Sequence, residues 1–591
     1  MLQVPSQARP HSAANLSCDR KIAGLFFAIA LVVYAATSAP QVLGGDSGEF
    51  ATLAATGGVA HPPGYPLYVL LLRALRWIPA LEPAHRASLI SALVGAIACG
   101  LLYRAARAWG ASPIASAIAT VTFTFAPLTW HLATCPEVFS LNALVAIILV
   151  LLAARTPEDP RAALRQATLL ALVAGLGVSN HHSIVLVVPI GLFAWLVAAR
   201  ASKRPYAALL LSLGALAAGL LPYAYLMYAA RTSDPATTWL WGDTKTLGGL
   251  VAHFLRREYG TTQLGLSNAK PEVIAQVVTF LKATLFELRG IPILGLLGLA
   301  LATKRGGKIF QWRWLMLLAS VLLSGPLFLM RFNIPPRGIG AGIAERFYLL
   351  PWTLLLVACA RALDSLAIVK MRRVRWLAPA AFAAVASTTA FESVREHHRP
   401  TVAHYVRNAL NLVEPNAILV GGGDHRFGAF LYARLALGLR KDVAFVHGTL
   451  MLSTWYPPQA DALVGRSLTR AENHLLSGGR LIGELLATRR PVYLTDWVVD
   501  DFRKTLPTYP IGPLIRVAPQ FIPLPEEVYL QNDNAYAHFE LEPSPPRNMD
   551  SWEGDLFSSY ARPWKSLADA FQTTNATRAE TCRRRAAAFS P

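Results

Sequence analysis

The feature that most constrains this 591-residue chain is a succession of apolar runs, each about as long as a helix needs to cross a bilayer. The first covers Ile22 to Ala39. Later ones fall near 87–103, 113–130, 138–154, 167–180, 184–199, 206–229, 274–302, 314–330, 347–366 and 376–392. Charge tests the count. If Arg20 and Lys21 stay on the inner side, every loop placed inside is basic: Arg104 and Arg107; Arg155, Arg161 and Arg165; Arg200, Lys203 and Arg204; Lys304, Arg305 and Lys308; Lys370, Arg372, Arg373 and Arg375. Lys and Arg on one side of a series of spans is the topology signal of a polytopic membrane protein. The expectation is a mainly α architecture with about eleven transmembrane helices, an N-terminus on the cytoplasmic side and a first span kept as an uncleaved anchor. Tyr65 to Pro79, with Arg73 and Arg76, is too short and too charged to span and reads as an amphipathic helix at the interface.

Composition excludes several classes. With 54% hydrophobic and 15% charged residues and a mean hydropathy of +0.38, the chain is no ordinary soluble protein. Its five cysteines are odd in number, and Cys99 and Cys359 sit inside apolar runs, so a disulfide-stapled fold is excluded. The formal charge of +20 is concentrated in the inner loops, which argues against nucleic acid as a partner.

The residues divide into a polar tail at 1–20, a membrane domain at 21–395, a soluble α/β domain at 396–545 on the outer side, and a loosely ordered tail at 546–591 rich in Pro, Asn, Arg and Ala. The α/β reading rests on a strand at 417–420, a Gly421-Gly-Gly-Asp424 turn, a helix at 427–437 and a strand at 442–446. Arg426 stands where a dinucleotide fingerprint would have its third glycine, so the turn reads as structural.

Ionisable residues in or beside membrane segments are costly and point to function. Here they gather in the outer segments: Asp46 and Glu49; His61; His131 with Glu137; His181 and His182; Arg256 and Arg257; and Glu345-Arg346. Asp46 and Glu49 share a face if the segment is helical, and Gly44, Gly45 and Gly48 leave room for a ligand; equally, Asp46 caps a helix beginning at Ser47. Glu137 either pairs with His131 or serves a substrate. One of His181 and His182 reads as a packing residue and the other as a ligand-contacting one. Arg256, Arg257 and Arg346 suit bidentate recognition of phosphate, the competing roles being ion pairing for Arg346 and interfacial anchoring for the other two. No Cys or His spacing matches a metal site; a divalent ion between Asp46 and Glu137 is compatible with the residues but not demanded by them.

Taken together, Gly45-Asp46-Ser-Gly-Glu49-Phe, His61-Pro-Pro-Gly-Tyr-Pro66, Trp130-x6-Glu137, Ser179-Asn-His-His182 and Arg257-Glu-Tyr-Gly260 resemble the GT-C membrane glycosyltransferases, in particular the protein O-mannosyltransferase-like family, over roughly residues 20–395. The resemblance implies an integral enzyme of a bacterial inner membrane. It would take a sugar, mannose or another hexose, from a polyprenyl-phosphate carrier on the extracytoplasmic face and pass it with inversion to a hydroxyl on a protein or glycan acceptor. It places the family's acid on Asp46 with Glu49 as companion, and its phosphate-contacting arginine on Arg346; His61, Glu137, His181, His182, Arg256 and Arg257 complete the expected substrate-binding set. The rival reading is a transporter or flippase for a lipid-linked saccharide, which would need polar groups at mid-membrane and on both sides.

Overall fold

In the computed structural model, residues 13–78, 81–261, 270–293, 308–364, 376–470, 477–495, 506–518 and 521–590 are described. The basic residues Lys304, Arg305 and those at 370–375 lie outside them, as do 1–12 of the polar tail.

Proline sets many helix starts. Pro83, Pro113, Pro127, Pro160, Pro205 and Pro222 each occupy the first helical turn, where the missing N–H costs nothing and the fixed φ favours the helix. Ser112 and Asp159 cap two of these helices through their side chains. Among the described residues, six helices are long and apolar enough to cross a membrane: Pro83–Ala108, Pro160–Asn180, His182–Ala201, Pro205–Thr232, Ile339–Leu363 and Leu377–Leu412. A seventh is added if Pro113–Thr124 and Pro127–Ala133, bent by 65°, form one span. The bend has a local cause, since Ala126 before Pro127 is extended rather than helical. Each of the eleven apolar runs carries helix in its described part; the 274–302 run lies partly outside the described residues, and the expected eleven crossings are not confirmed. Phe139–Ala154 has 16 residues and Lys308–Leu322 has 15, short of a straight span. The protein is a mainly helical, integral membrane protein.

Among the described residues, seven strands complete the fold. β1 (Gly58–Val59) pairs in parallel with β2 (Trp239–Leu240), matching Gly58 to Trp239 and Val59 to Leu240. The rest form one sheet: β3 (Ile418–Gly421), β4 (Ala444–His447), β5 (Val492–Leu494), β6 (Thr508–Ile511) and β7 (Leu514–Val517), in the order β4-β3-β5-β7-β6. β3 runs parallel to β4 and β5, whereas the β6–β7 hairpin is antiparallel. Ile418, Leu419, Val420, Val446, Val492 and Leu494 are fully buried, as expected of strands covered on both faces.

The chain beyond residue 545 is not loose. It carries the helices Trp552–Ser559, Arg562–Phe571 and Ala576–Ala587, with Trp564 and Phe571 buried. Asp555 of this segment accepts from Arg426 (2.6 Å) and His425 (3.0 Å), so the residue at the third-glycine position of the β3 turn is tied to the protein's own tail.

Candidate active site

The helix Ser47–Thr56 follows the first long helix, Ala13–Ala36. Asp46 is its N-cap by position, but its carboxylate makes no cap hydrogen bond. Asp46 Oδ2 instead accepts from Arg346 Nη1 at 2.8 Å, and the same nitrogen donates to Glu137 Oε1 at 2.8 Å. Residues 46, 137 and 346 thus meet at one end of the helical domain, although 300 positions separate the first from the last. The opposite end holds Arg107, paired with Asp19 at 2.9 Å.

Burial alone would push the Asp46 carboxyl up; the Arg346 guanidinium, aided by His61, prevails and holds it below the usual carboxylate range. Glu137 faces the opposite balance. Burial and the neighbouring Asp46 charge outweigh Arg346 and push it up to about 7. One arginine shared by two carboxylates therefore keeps Asp46 ionised and leaves Glu137 close to protonation. Arg346 is also flanked by the rings of Phe139 (5.7 Å) and Trp552 (5.6 Å), the latter from the tail. Trp552 fills the room beside Gly44 and Gly45. A Cβ at Gly44 would lie 2.6 Å from that of Trp552, so these glycines admit part of the chain itself rather than a ligand.

Glu49 is saturated. Its Oε1 accepts from the His61 backbone N–H (3.0 Å) and the Trp239 indole (3.0 Å), and its Oε2 meets His61 Nδ1 at 2.5 Å. The β1–β2 pairing delivers Trp239 to this point and sets Trp241 beside His61, ring centroids 5.9 Å apart. Although burial lowers the imidazole, the charges of Glu49 and Asp46 override it and raise His61 to about 9. Its other nitrogen, Nε2, donates to the Tyr65 hydroxyl at 3.0 Å.

The remaining candidates divide. His181 joins the cluster, its ring stacked on Tyr65 at 5.6 Å while Nδ1 bonds the Ser183 hydroxyl at 2.8 Å. His182 turns away to the Tyr223 hydroxyl (3.1 Å) and the Phe254 ring (4.7 Å) and packs. The alternative pairing of Glu137 with His131 is not formed: His131 lies against His397, centroids 4.5 Å apart. Arg256 sits 5.2 Å over the Tyr259 ring, and its Nε is buried without a hydrogen-bond partner. It has no carboxylate partner among the described residues, and Arg257 is exposed.

A narrow cleft is lined by Asp46, Glu49, His61, Trp241, Tyr259, Asp424, Phe427 and Gly428. The last three belong to the α/β unit, on or beside the helix Asp424–Leu431. That helix docks on Ser47–Thr56 so closely that a Cβ on Gly48 would stand 2.3 Å from the Gly428 carbonyl carbon. Sequence reading found the acids and arginines but missed Tyr65, Trp241, Trp552 and Asp424. The aromatic residues carry no signal apart from their type, and Asp424 reads as an ordinary strand-to-helix turn. Among the described residues no group of three or more His, Cys, Asp or Glu side chains is arranged to hold a metal ion.

Residues 46–205 match the family model of the protein O-mannosyl-transferase TMEM260 N-terminal domain. The chain is 31% identical over 464 residues to protein O-mannosyl-transferase TMEM260 of Mus musculus, covering 73% of this chain and 63% of the mouse protein. It is 26% identical over 480 residues to the tmem260 protein O-mannosyl-transferase of Dictyostelium discoideum, covering 73% and 58%. The match thus spans about three fifths of these relatives. In fold, the chain is similar to ArnT from Cupriavidus metallidurans in its undecaprenyl-phosphate-bound crystal structure, with a TM-score of 0.56 and 14% identity, covering 84% of this chain and 98% of ArnT.

Proposed function

We propose that the chain is a GT-C O-mannosyltransferase-like enzyme that transfers a hexose, mannose first among the candidates, from a polyprenyl-phosphate carrier to a hydroxyl of a protein acceptor. The observation that carries the reading is the ionised Asp46 in a cleft beside Arg256, a cation without a carboxylate partner among the described residues. Asp46 takes the proton of the acceptor hydroxyl as its oxygen attacks the anomeric carbon. The bond from that carbon to the phosphate oxygen breaks, its electron pair leaves with the polyprenyl phosphate, and the anomeric centre inverts. A phosphate leaves without prior protonation, so one carboxylate base is enough.

Arg256 holds the phosphate. Arg346 was the expected phosphate ligand, but its charge is already engaged by two carboxylates, and its role here is to keep Asp46 charged and oriented. Glu49 positions the His61 loop and Trp239 of β2 rather than reacting, because its oxygens already accept three hydrogen bonds. His181 and Tyr65 wall the cleft. The cleft faces the extracytoplasmic side, where the carrier's sugar is presented while its isoprenoid tail stays in lipid; in a bacterium this is the outer face of the inner membrane.

The test is incubation of the purified protein with polyprenyl-phosphate mannose and an acceptor peptide, followed by mass spectrometry of released carrier and product. The wild type should yield both. Asp46→Asn should lower the rate by about 10²–10⁴-fold, the typical worth of a general base. Undiminished transfer by that variant would remove Asp46 from the chemistry, and a wild type inert towards every polyprenyl-phosphate hexose would overturn the reading as a whole.

A further inference from the structure

The α/β unit does more than sit over the helical domain, because it places a carboxylate in the cleft. Asp424 opens the helix after β3 and lines the cleft with Asp46, Glu49 and His61, and it is the most solvent-exposed residue of the four. Every other acid of the cleft is engaged: Asp46 by Arg346, Glu49 by His61 and Trp239. Asp424 makes no hydrogen bond or ion pair among the described residues. It does not serve the fold in the manner of its neighbours His425 and Arg426, which are tied to Asp555.

The same cleft carries aromatic rings, Trp241 and Tyr259 among them. Trp241 is held in place by its indole N–H, which donates to Glu258 at 2.9 Å, and Glu258 also accepts from Trp455 of the α/β unit at 3.2 Å. With its one polar atom engaged, Trp241 offers the cleft only a ring. An open carboxylate facing an aromatic ring is the chemistry that recognises a pyranose, whose hydroxyl edge donates hydrogen bonds and whose C–H face packs on a π-surface. The direction of the cleft agrees. Tyr259 lines it and lies under the Arg256 guanidinium, so a phosphate on Arg256 delivers the group it carries past Tyr259 towards Trp241 and Asp424.

We propose that Asp424 and Trp241 form the subsite that reads the donor's hexose, with Asp424 accepting hydrogen bonds from its hydroxyls, so that the α/β unit determines which sugar is transferred. This rests on the proposed function for the identity of the donor. It is tested apart from transfer, by binding of a short polyprenyl-phosphate mannose and of the same polyprenyl phosphate without sugar to the full-length protein in lipid nanodiscs. The wild type should prefer the sugar-bearing form. Asp424→Asn, isosteric and not expected to disturb the fold, should lose about tenfold or more of affinity for that form, as befits hydrogen bonds to a charged group, and bind the bare phosphate unchanged.

Equal losses for both ligands would make Asp424 a structural residue and overturn the proposal. So would no loss for either, or a wild type indifferent to the sugar. A raised acceptor KM with unchanged donor binding would assign Asp424 to the acceptor and likewise overturn it. Should the wild type prefer the mannose-bearing form yet transfer nothing, the subsite would stand and the function proposed above would fall.

Discussion

At the scale of single residues, the site separates two kinds of ion pair. His61 and Glu49 form a closed one, satisfied on both sides and supported by Tyr65. Since folding raises His61 from 6.5 to about 9, its contribution to stability is complete below pH 6.5 and is lost as pH rises through about 9. Asp46 and Asp424 face the same imidazole and reinforce the effect. The thermal midpoint of the wild type should therefore exceed that of His61→Gln at pH 6, with the gap narrowing between pH 8 and 10; a gap independent of pH would count against the pair. The second kind is open. Arg256 has no carboxylate partner among the described residues, so Arg256→Ala should weaken polyprenyl-phosphate binding by tenfold or more with little change in thermal midpoint. Arg346→Ala should instead lower the midpoint, because it strands two carboxylates.

At the scale of elements, the contact between Ser47–Thr56 and Asp424–Leu431 governs whether the cleft exists. Gly48 and Gly428 let the two helices meet backbone to backbone. A methyl on Gly48 would press on the Gly428 carbonyl at 2.3–2.5 Å, whereas one on Gly428 would meet the Glu49 nitrogen at 3.0 Å. Gly48→Ala should therefore destabilise by about 1–3 kcal/mol and weaken donor binding, while Gly428→Ala should have a smaller effect. Differential scanning fluorimetry of both variants checks the order, and an inverted order would refute the docking geometry. Periodicity exposed the helices themselves, since each apolar run carries helix in its described part, some broken in two as at Pro127, but it could not count crossings. Whether a run spans depends on bends such as that at Pro127 and on the length left by its caps, which hydropathy averages away.

At the scale of the whole molecule, what was legible in the chain was chemistry by type and side, and what was not was pairing. Asp46, Glu137 and Arg346 announce themselves as charges beside apolar segments, but that one arginine would clamp both acids is decided by how the helices pack. Asp424 lies in a segment of soluble composition, where a carboxylate after a glycine turn is unremarkable. Nothing in its neighbourhood of sequence says that the turn lands on a loop some 370 positions earlier. The tail misled for a related reason: its Pro- and Arg-rich composition resembles disorder, yet Trp552 is held under Arg346.

That the cleft has one wall from each half of the chain bears on how such enzymes diversify. On the function proposed above, replacing the half that carries Asp424 by the corresponding half of a relative would keep the carboxylate proposed to react and the arginine proposed to hold the carrier phosphate, while changing the surface proposed to read the sugar. A lineage could in this way acquire a new glycan by recombination at a single junction, without reinventing the catalyst.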